Sequence, residues 1–160
     1  MKKTAILFVF LSLAVSNANA LEKSIGLGAG FMYSGLGANF SLHDNKAIYY
    51  AGLGCPAMAG SEGIRQFACG VGAGATFAIP SNTNKHGLGL YLGAMSAYFA
   101  FDDSNAFENA RYGTAATYTY FYNGVNNPGF NVGVSPLAFY YHKSAVHWTG
   151  MLSLGYQFGM

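Results

Sequence analysis

The sequence predicts an all-β fold: an eight-stranded antiparallel transmembrane β-barrel with short connections, preceded by a cleaved leader. Three observations carry this prediction. Only 9% of the 160 residues are charged and 52% are hydrophobic, whereas about a quarter of an ordinary soluble domain is charged. Apolar residues recur with period two along most of the chain, the mark of strands with one apolar face. The few charges fall between those alternating segments. Eight Lys and Arg against six Asp and Glu also lack the basic excess of a nucleic-acid binder.

The first element is an address. Lys2 and Lys3 precede an apolar run from Ala5 to Val15, and Ala18-Asn19-Ala20 follows. This is the charged, apolar and small-residue order of a secretory signal peptide, and the run is shorter than the roughly 20 residues of a membrane helix. Residues 1–20 therefore read as the signal and 21–160 as a single barrel domain. Without the leader the chain carries six basic and six acidic residues, a neutral apolar composition ill suited to water.

Helical spans do not fit what remains. Most uncharged segments are too short, and the longer one, Tyr112 to His142, is broken by Gly124-Val125-Asn126-Asn127-Pro128-Gly129, which reads as a turn. Eight strands are expected at about 24–33, 36–43, 47–58, 64–78, 87–101, 111–123, 129–141 and 145–158. In the first, Ile25, Leu27, Ala29, Phe31 and Tyr33 share one face, opposite Gly26, Gly28, Gly30 and Met32. A turn at Ser34-Gly35 pairs Tyr33 with Leu36, Phe31 with Ala38 and Leu27 with Leu42, keeping the apolar faces matched. A turn around Asp44-Asn45 pairs Leu42 with Ala47 and Phe40 with Tyr49. The third turn, Gly60 to Gly63, pairs Leu53 with Val71 and Ala51 with Ala73. The last, at His142-Lys143-Ser144, pairs Val132 with Leu154 and Phe130 with Tyr156. Pro136 has no amide proton to donate, so a bulge or a locally missing bond is expected in the seventh strand.

Strands in hydrocarbon must close on themselves to satisfy their backbones, and an even number of antiparallel strands of about ten residues is the barrel pattern. Behind a signal peptide, this pattern points to the outer membrane of a Gram-negative bacterium. The chain resembles the eight-stranded OmpA and OmpX type of outer-membrane barrel over its whole mature length. Alternating Leu152, Leu154, Tyr156 and Phe158 are similar to that family's C-terminal assembly signal, although Gly159 and Met160 follow. The resemblance implies a monomer whose partners are outer-membrane lipid, lipopolysaccharide and the outer-membrane assembly machinery, with no cofactor. The alternative is a soluble secreted barrel. It would turn the Leu, Val and aromatic faces inward and carry Lys, Glu and Thr outside, yet the opposite faces hold Gly, Ala, Ser, Thr and Met.

The register of the third hairpin makes Cys55 and Cys69 cross-strand neighbours. In an oxidising compartment they are expected to form a disulfide, since neither a Cys-x-x-Cys spacing nor a nearby His suggests metal or redox chemistry. The faces place Met32, Asn39, Tyr50, Gln66, Tyr91, Met95, Phe121, His147, Met151 and Gln157 in the lumen. Eight strands leave an interior that side chains just fill, and glycines beside large side chains read as packing. No Asp, Glu, Lys or Arg is expected deep inside, so no ion path is written there; a wide pore is excluded and a small apolar cavity stays open. Tyr112, Tyr118, Tyr120, Tyr122, Tyr140, Trp148, Tyr156 and Phe158 read as interfacial girdles. Asp102, Asp103 and Glu108 form an acidic loop expected at the cell surface. His43 and His86 lie near turns, too isolated to bind metal.

These features suggest a structural or surface-interaction role. One alternative is a lipid A-modifying enzyme: His142-Lys143-Ser144 resembles the His-x-Ser element of the lipid A deacylases, but Ala145 replaces that family's Asn and no acidic residue follows. The other is a narrow channel or carrier of small apolar ligands.

Overall fold

A computed structural model describes residues 22–61, 64–81, 83–98, 111–140 and 147–160. Eight strands form β1 (Glu22–Gly30), β2 (Gly35–Asp44), β3 (Ala47–Ser61), β4 (Ile64–Ala78), β5 (His86–Tyr98), β6 (Arg111–Phe121), β7 (Phe130–Tyr140) and β8 (His147–Gly159). Each pairs antiparallel with the next and β1 pairs with β8, closing the barrel. Period-two alternation is what makes this closure stable: one face of every strand can be apolar while the other packs inside.

The strands are strongly staggered. Direct pairs lead from Ile25 through Phe40, Ala51, Ala73, Leu92, Thr114 and Ala138 to Trp148 on β8. Ile25 itself pairs with Phe158, so one circuit of the wall climbs ten residues. At about 3.4 Å per residue and 4.8 Å between strands, that stagger tilts the strands by roughly 40°.

The outward face is apolar on every strand. Ile25 and Leu27, Leu36 and Phe40, Tyr49 and Leu53, Val71 and Phe77, Leu88, Leu90 and Leu92, Tyr118, Val132 and Val134, and Leu152 and Leu154 are all exposed. Among the described side chains, the charged ones (Glu22, Lys23, Asp44, Lys46 and Lys85) sit at strand ends or in connections.

The first hairpin corrects the sequence reading. β1 stops at Gly30, and Phe31–Tyr33 turns inward as one turn of 3-10 helix. Leu27 faces Ala38 and not Leu42, and Gly30 faces Gly35. Phe31 and Tyr33, expected on the outer face, are fully buried in the lumen together with Met32. Gly30 at φ 112° and Gly35 at φ 115° bracket the departure, with Ser34 at φ 53° between them. Glycine adopts such angles without the Cβ clash that other residues suffer.

The second hairpin also shifts, turning on Asn45-Lys46 so that Leu42 faces Tyr49 and Asp44 faces Ala47. Both shifts are even-numbered, which leaves the faces of the residues that stay in these strands as predicted. The third and last hairpins have the expected pairs, Leu53 with Val71 and Val132 with Leu154. Cys55 and Cys69 are joined in a disulfide beside irregularities that follow Gly54 and Cys69. Opposite Pro136 the β6–β7 ladder skips two pairs, between Ala115–Leu137 and Tyr118–Val134, and resumes in the same register.

Candidate functional site in the barrel lumen

The lumen is built around the inward turn. Its walls are thinned where it needs room: Gly52, Gly72, Gly93 and Gly113 are consecutive cross-strand partners on β3 to β6. The Tyr91 ring lies against Gly72 and Gly93, and the Met32 carbonyl lies 2.7 Å from where a Cβ on Gly52 would stand. Tyr33 lies across Gly28 and Gly155 in the same way. Alternating glycine with Tyr and Phe thus fits a bulky turn into a narrow cylinder, at close-packed density.

Five hydrogen bonds pin the turn. Asn39 Nδ2 donates to the Met32 carbonyl at 3.0 Å. Ser34 Oγ donates to the Gly52 carbonyl at 3.1 Å, which commits its single proton, so the Tyr91 hydroxyl donates to Ser34 at 2.9 Å. Tyr33 Oη accepts from Asn131 Nδ2 at 2.9 Å and donates to Asn131 Oδ1 at 3.2 Å. Buried hydrogen bonds of this kind each stabilise by about 1 kcal/mol net.

A second polar group closes the end that carries both termini. Val125, from the β6–β7 connection, is fully buried beneath the barrel mouth. Its amide donates to the Asn84 carbonyl at 2.9 Å, and its carbonyl meets His43 Nδ1 at 3.0 Å. A carbonyl only accepts, so His43 carries a proton on Nδ1, and its Nε2 lies 2.7 Å from the Ser24 hydroxyl. Ser24 Oγ also lies 3.1 Å from Gln157 Oε1. Serine beside histidine is the start of a nucleophilic site, but Ser24 and His43 are sealed from solvent. Here the pair latches a loop.

The third feature is a wall of hydroxyls. Thr76, Thr117, Thr119, Ser135 and Ser153 point inward from β4, β6, β7 and β8 and are buried; Thr117, Thr119, Ser135 and Ser153 make no hydrogen bond within the protein, and Thr76 has the Tyr50 hydroxyl beside it. They fall into register. Gly89 lies between Thr76 and Thr117, and Gly133 between Thr119 and Ser153. A Cβ on Gly89 would stand 2.7 Å from Thr76 Oγ1 and 2.8 Å from Thr117 Oγ1. Leaving a buried hydroxyl unpaired costs about 1–3 kcal/mol, and the buried Gln157 Nε2 is likewise without a partner.

No protein family, curated protein or solved structure matches this chain. Its reading rests on its own geometry.

Of the residues the sequence placed in the lumen, Met32, Asn39, Tyr50, Tyr91, Phe121 and Gln157 are buried there, and Met151 packs against the same core. The side chains of Gln66, Met95 and His147 lie outside the described set, as do those of Tyr140 and Trp148. Asp102, Asp103, Glu108, His142 and Ser144 also fall outside it. Tyr112, Tyr122, Tyr156 and Phe158 are exposed, Tyr118 is at the margin of exposure and Tyr120 is half-buried. Those near the terminal end belong to an aromatic rim, which excludes Tyr112 at the opposite end of β6. Tyr49 meets Phe77 edge-on, Tyr118 Oη lies 2.7 Å from His86 Nδ1, and Lys85 Nζ stands 5.2 Å above the Tyr122 ring. Among the described residues no three His, Cys, Asp or Glu converge on a metal site. Sequence reasoning missed Phe31, Tyr33, His43, Val125 and the hydroxyl wall. The glycines bracketing Phe31–Tyr33 were the available signal.

Proposed function

We propose that the chain is a small integral barrel of the Gram-negative outer membrane, exported by its leader, with a structural or surface-interaction role. The observation that carries this reading is the inverted distribution of polarity. Leu, Ile, Val, Phe and Tyr face outward around the whole wall, while Ser, Thr, Asn, Gln and His are buried inside. A soluble barrel has the reverse need, because exposed apolar patches beyond a few hundred Å² drive association. The aromatic rim with Lys85 supports the same reading, since Tyr and basic residues suit the headgroup level.

The inward turn argues against a wide pore, and the partners that follow are membrane lipid, lipopolysaccharide and the assembly machinery. With the N-terminus periplasmic, the β5–β6 connection holding Asp102, Asp103 and Glu108 faces outside. The test is membrane fractionation together with boiled and unboiled electrophoresis of the refolded protein. Outer-membrane location with a heat-dependent mobility shift is the expected result. A soluble periplasmic protein with no shift would overturn the proposal. The unpaired hydroxyls favour the narrow-channel alternative as a second reading.

A further inference from the structure

We infer that the hydroxyl wall is a track for water and small uncharged polyols, closed at rest by Phe31. The inference rests on the membrane-barrel reading above. Its first ground is chemical. Thr76, Thr117, Thr119, Ser135 and Ser153 each offer a donor and an acceptor and all are more than nine-tenths buried; all but Thr76, which stands beside the Tyr50 hydroxyl, are without a hydrogen-bonding partner within the protein. Hydroxyls on three adjacent strands and β4, most of them unpaired, form a surface that complements hydroxyls.

Its second ground is spatial. Thr76, Gly89 and Thr117 lie in one cross-strand row, with Thr119, Gly133 and Ser153 in another. Because the strands are staggered, the two rows climb the wall together. The central glycines keep side chains from covering the hydroxyls.

Its third ground is the seal. The tip of the Phe31 ring rests on Gly133, 3.0 Å from where a Cβ would stand, and Thr119 Oγ1 lies at the same distance. Gly30 leaves the wall against Ser153. One aromatic side chain therefore covers Gly133, the centre of the second row. The turn that carries it is hinged at both ends by left-handed backbone, Gly30 before it and Ser34 and Gly35 after it. At the other end Val125 is the cap, latched by His43.

The solute class follows from what lines the lumen. Buried inward-facing residues include no Asp, Glu, Lys or Arg among those described, so an ion would shed its hydration shell with no charge to replace it. Hydroxyls can substitute for the water around a neutral polyol.

Glycerol is the probe, measured by stopped-flow shrinkage of proteoliposomes, with potassium chloride conductance recorded in parallel. Wild-type vesicles are expected to be nearly glycerol-tight. Phe31→Ala is expected to raise glycerol permeability about tenfold, as a closed state loses its seal, without ion conductance. Adding Thr117→Val and Thr119→Val, which keep the side-chain shape, is expected to return the flux toward wild type. A mere hole would conduct equally well with valine in the wall, and that result would overturn the track. So would a Phe31→Ala barrel that shifts on heating, floats with lipid and remains glycerol-tight, or one that passes ions as freely as glycerol. A wild-type protein that neither shifts nor floats with lipid overturns the membrane reading and the conduit with it.

Discussion

Gly155→Ala tests the inward turn at its tightest point. Gly155 faces the lumen on β8 opposite Gly28, and a Cβ there would collide with Tyr33 Cζ and Oη. The ring cannot simply move aside, because Gly28 backs it and Asn131 holds its hydroxyl from two directions. Overpacking of this kind costs about 1–3 kcal/mol, and displacing the ring from Asn131 adds about 1 kcal/mol. The expected loss is therefore about 2–4 kcal/mol. It should appear as a lower midpoint in urea unfolding of the refolded protein, followed by the fluorescence of the chain's single tryptophan. The decisive step is the double-mutant cycle with Tyr33→Ala. Without the ring, the three atoms closest to the extra methyl are gone, so Gly155→Ala should cost less than about 1 kcal/mol in that background. Were Tyr33 on an outward-facing strand, the substitution would cost the same in both backgrounds. Equal costs would refute the inward turn.

Further outcomes follow from other contacts. Asn131→Leu leaves Tyr33 Oη without its partner in the lumen and should destabilise the barrel by about 1–3 kcal/mol, read from the same urea midpoints; no change would mean the ring is held by packing alone. Converting both Cys55 and Cys69 to Ser removes a crosslink that spans 14 residues and should cost about 3 kcal/mol, whereas reducing agent should leave the double variant unaffected. Leu92→Arg places a charge on an outward side chain that is 64% exposed; folding into lipid vesicles should weaken by about 2–4 kcal/mol. A soluble surface would tolerate it with almost no change.

How far the sequence could be read depended on where alternation reports the backbone. In β7 and β8 it does so throughout, and the pairing of Val132 with Leu154 follows from a tight turn and matched faces. The Cys55–Cys69 link follows from the same arithmetic in the third hairpin. Alternation failed at Phe31–Tyr33 because it continues unbroken through residues that have left the strand. Apolar side chains with period two look alike whether they face lipid or turn into a lumen. What separates the cases is the positive φ at Gly30 and Gly35 and the row of glycines on β3 to β6 that makes room. That row becomes visible only when strands from distant parts of the sequence are paired. His43 was legible only as a residue near a turn, because its partner Val125 lies 82 positions away. The hydroxyls were hidden for a different reason: Ser and Thr on a small-residue face look like spacers until their partners are sought and not found.

In the proposed outer-membrane barrel, the apolar outward face lies in hydrocarbon. The most direct measurement places a bimane fluorophore at Leu90→Cys, on the outward face of β5, in a Cys55→Ser, Cys69→Ser background reconstituted in lipid vesicles. Brominated acyl chains should quench it strongly and aqueous iodide hardly at all. Strong quenching by iodide, with no response to the brominated lipid, would show that face in water and contradict the claim.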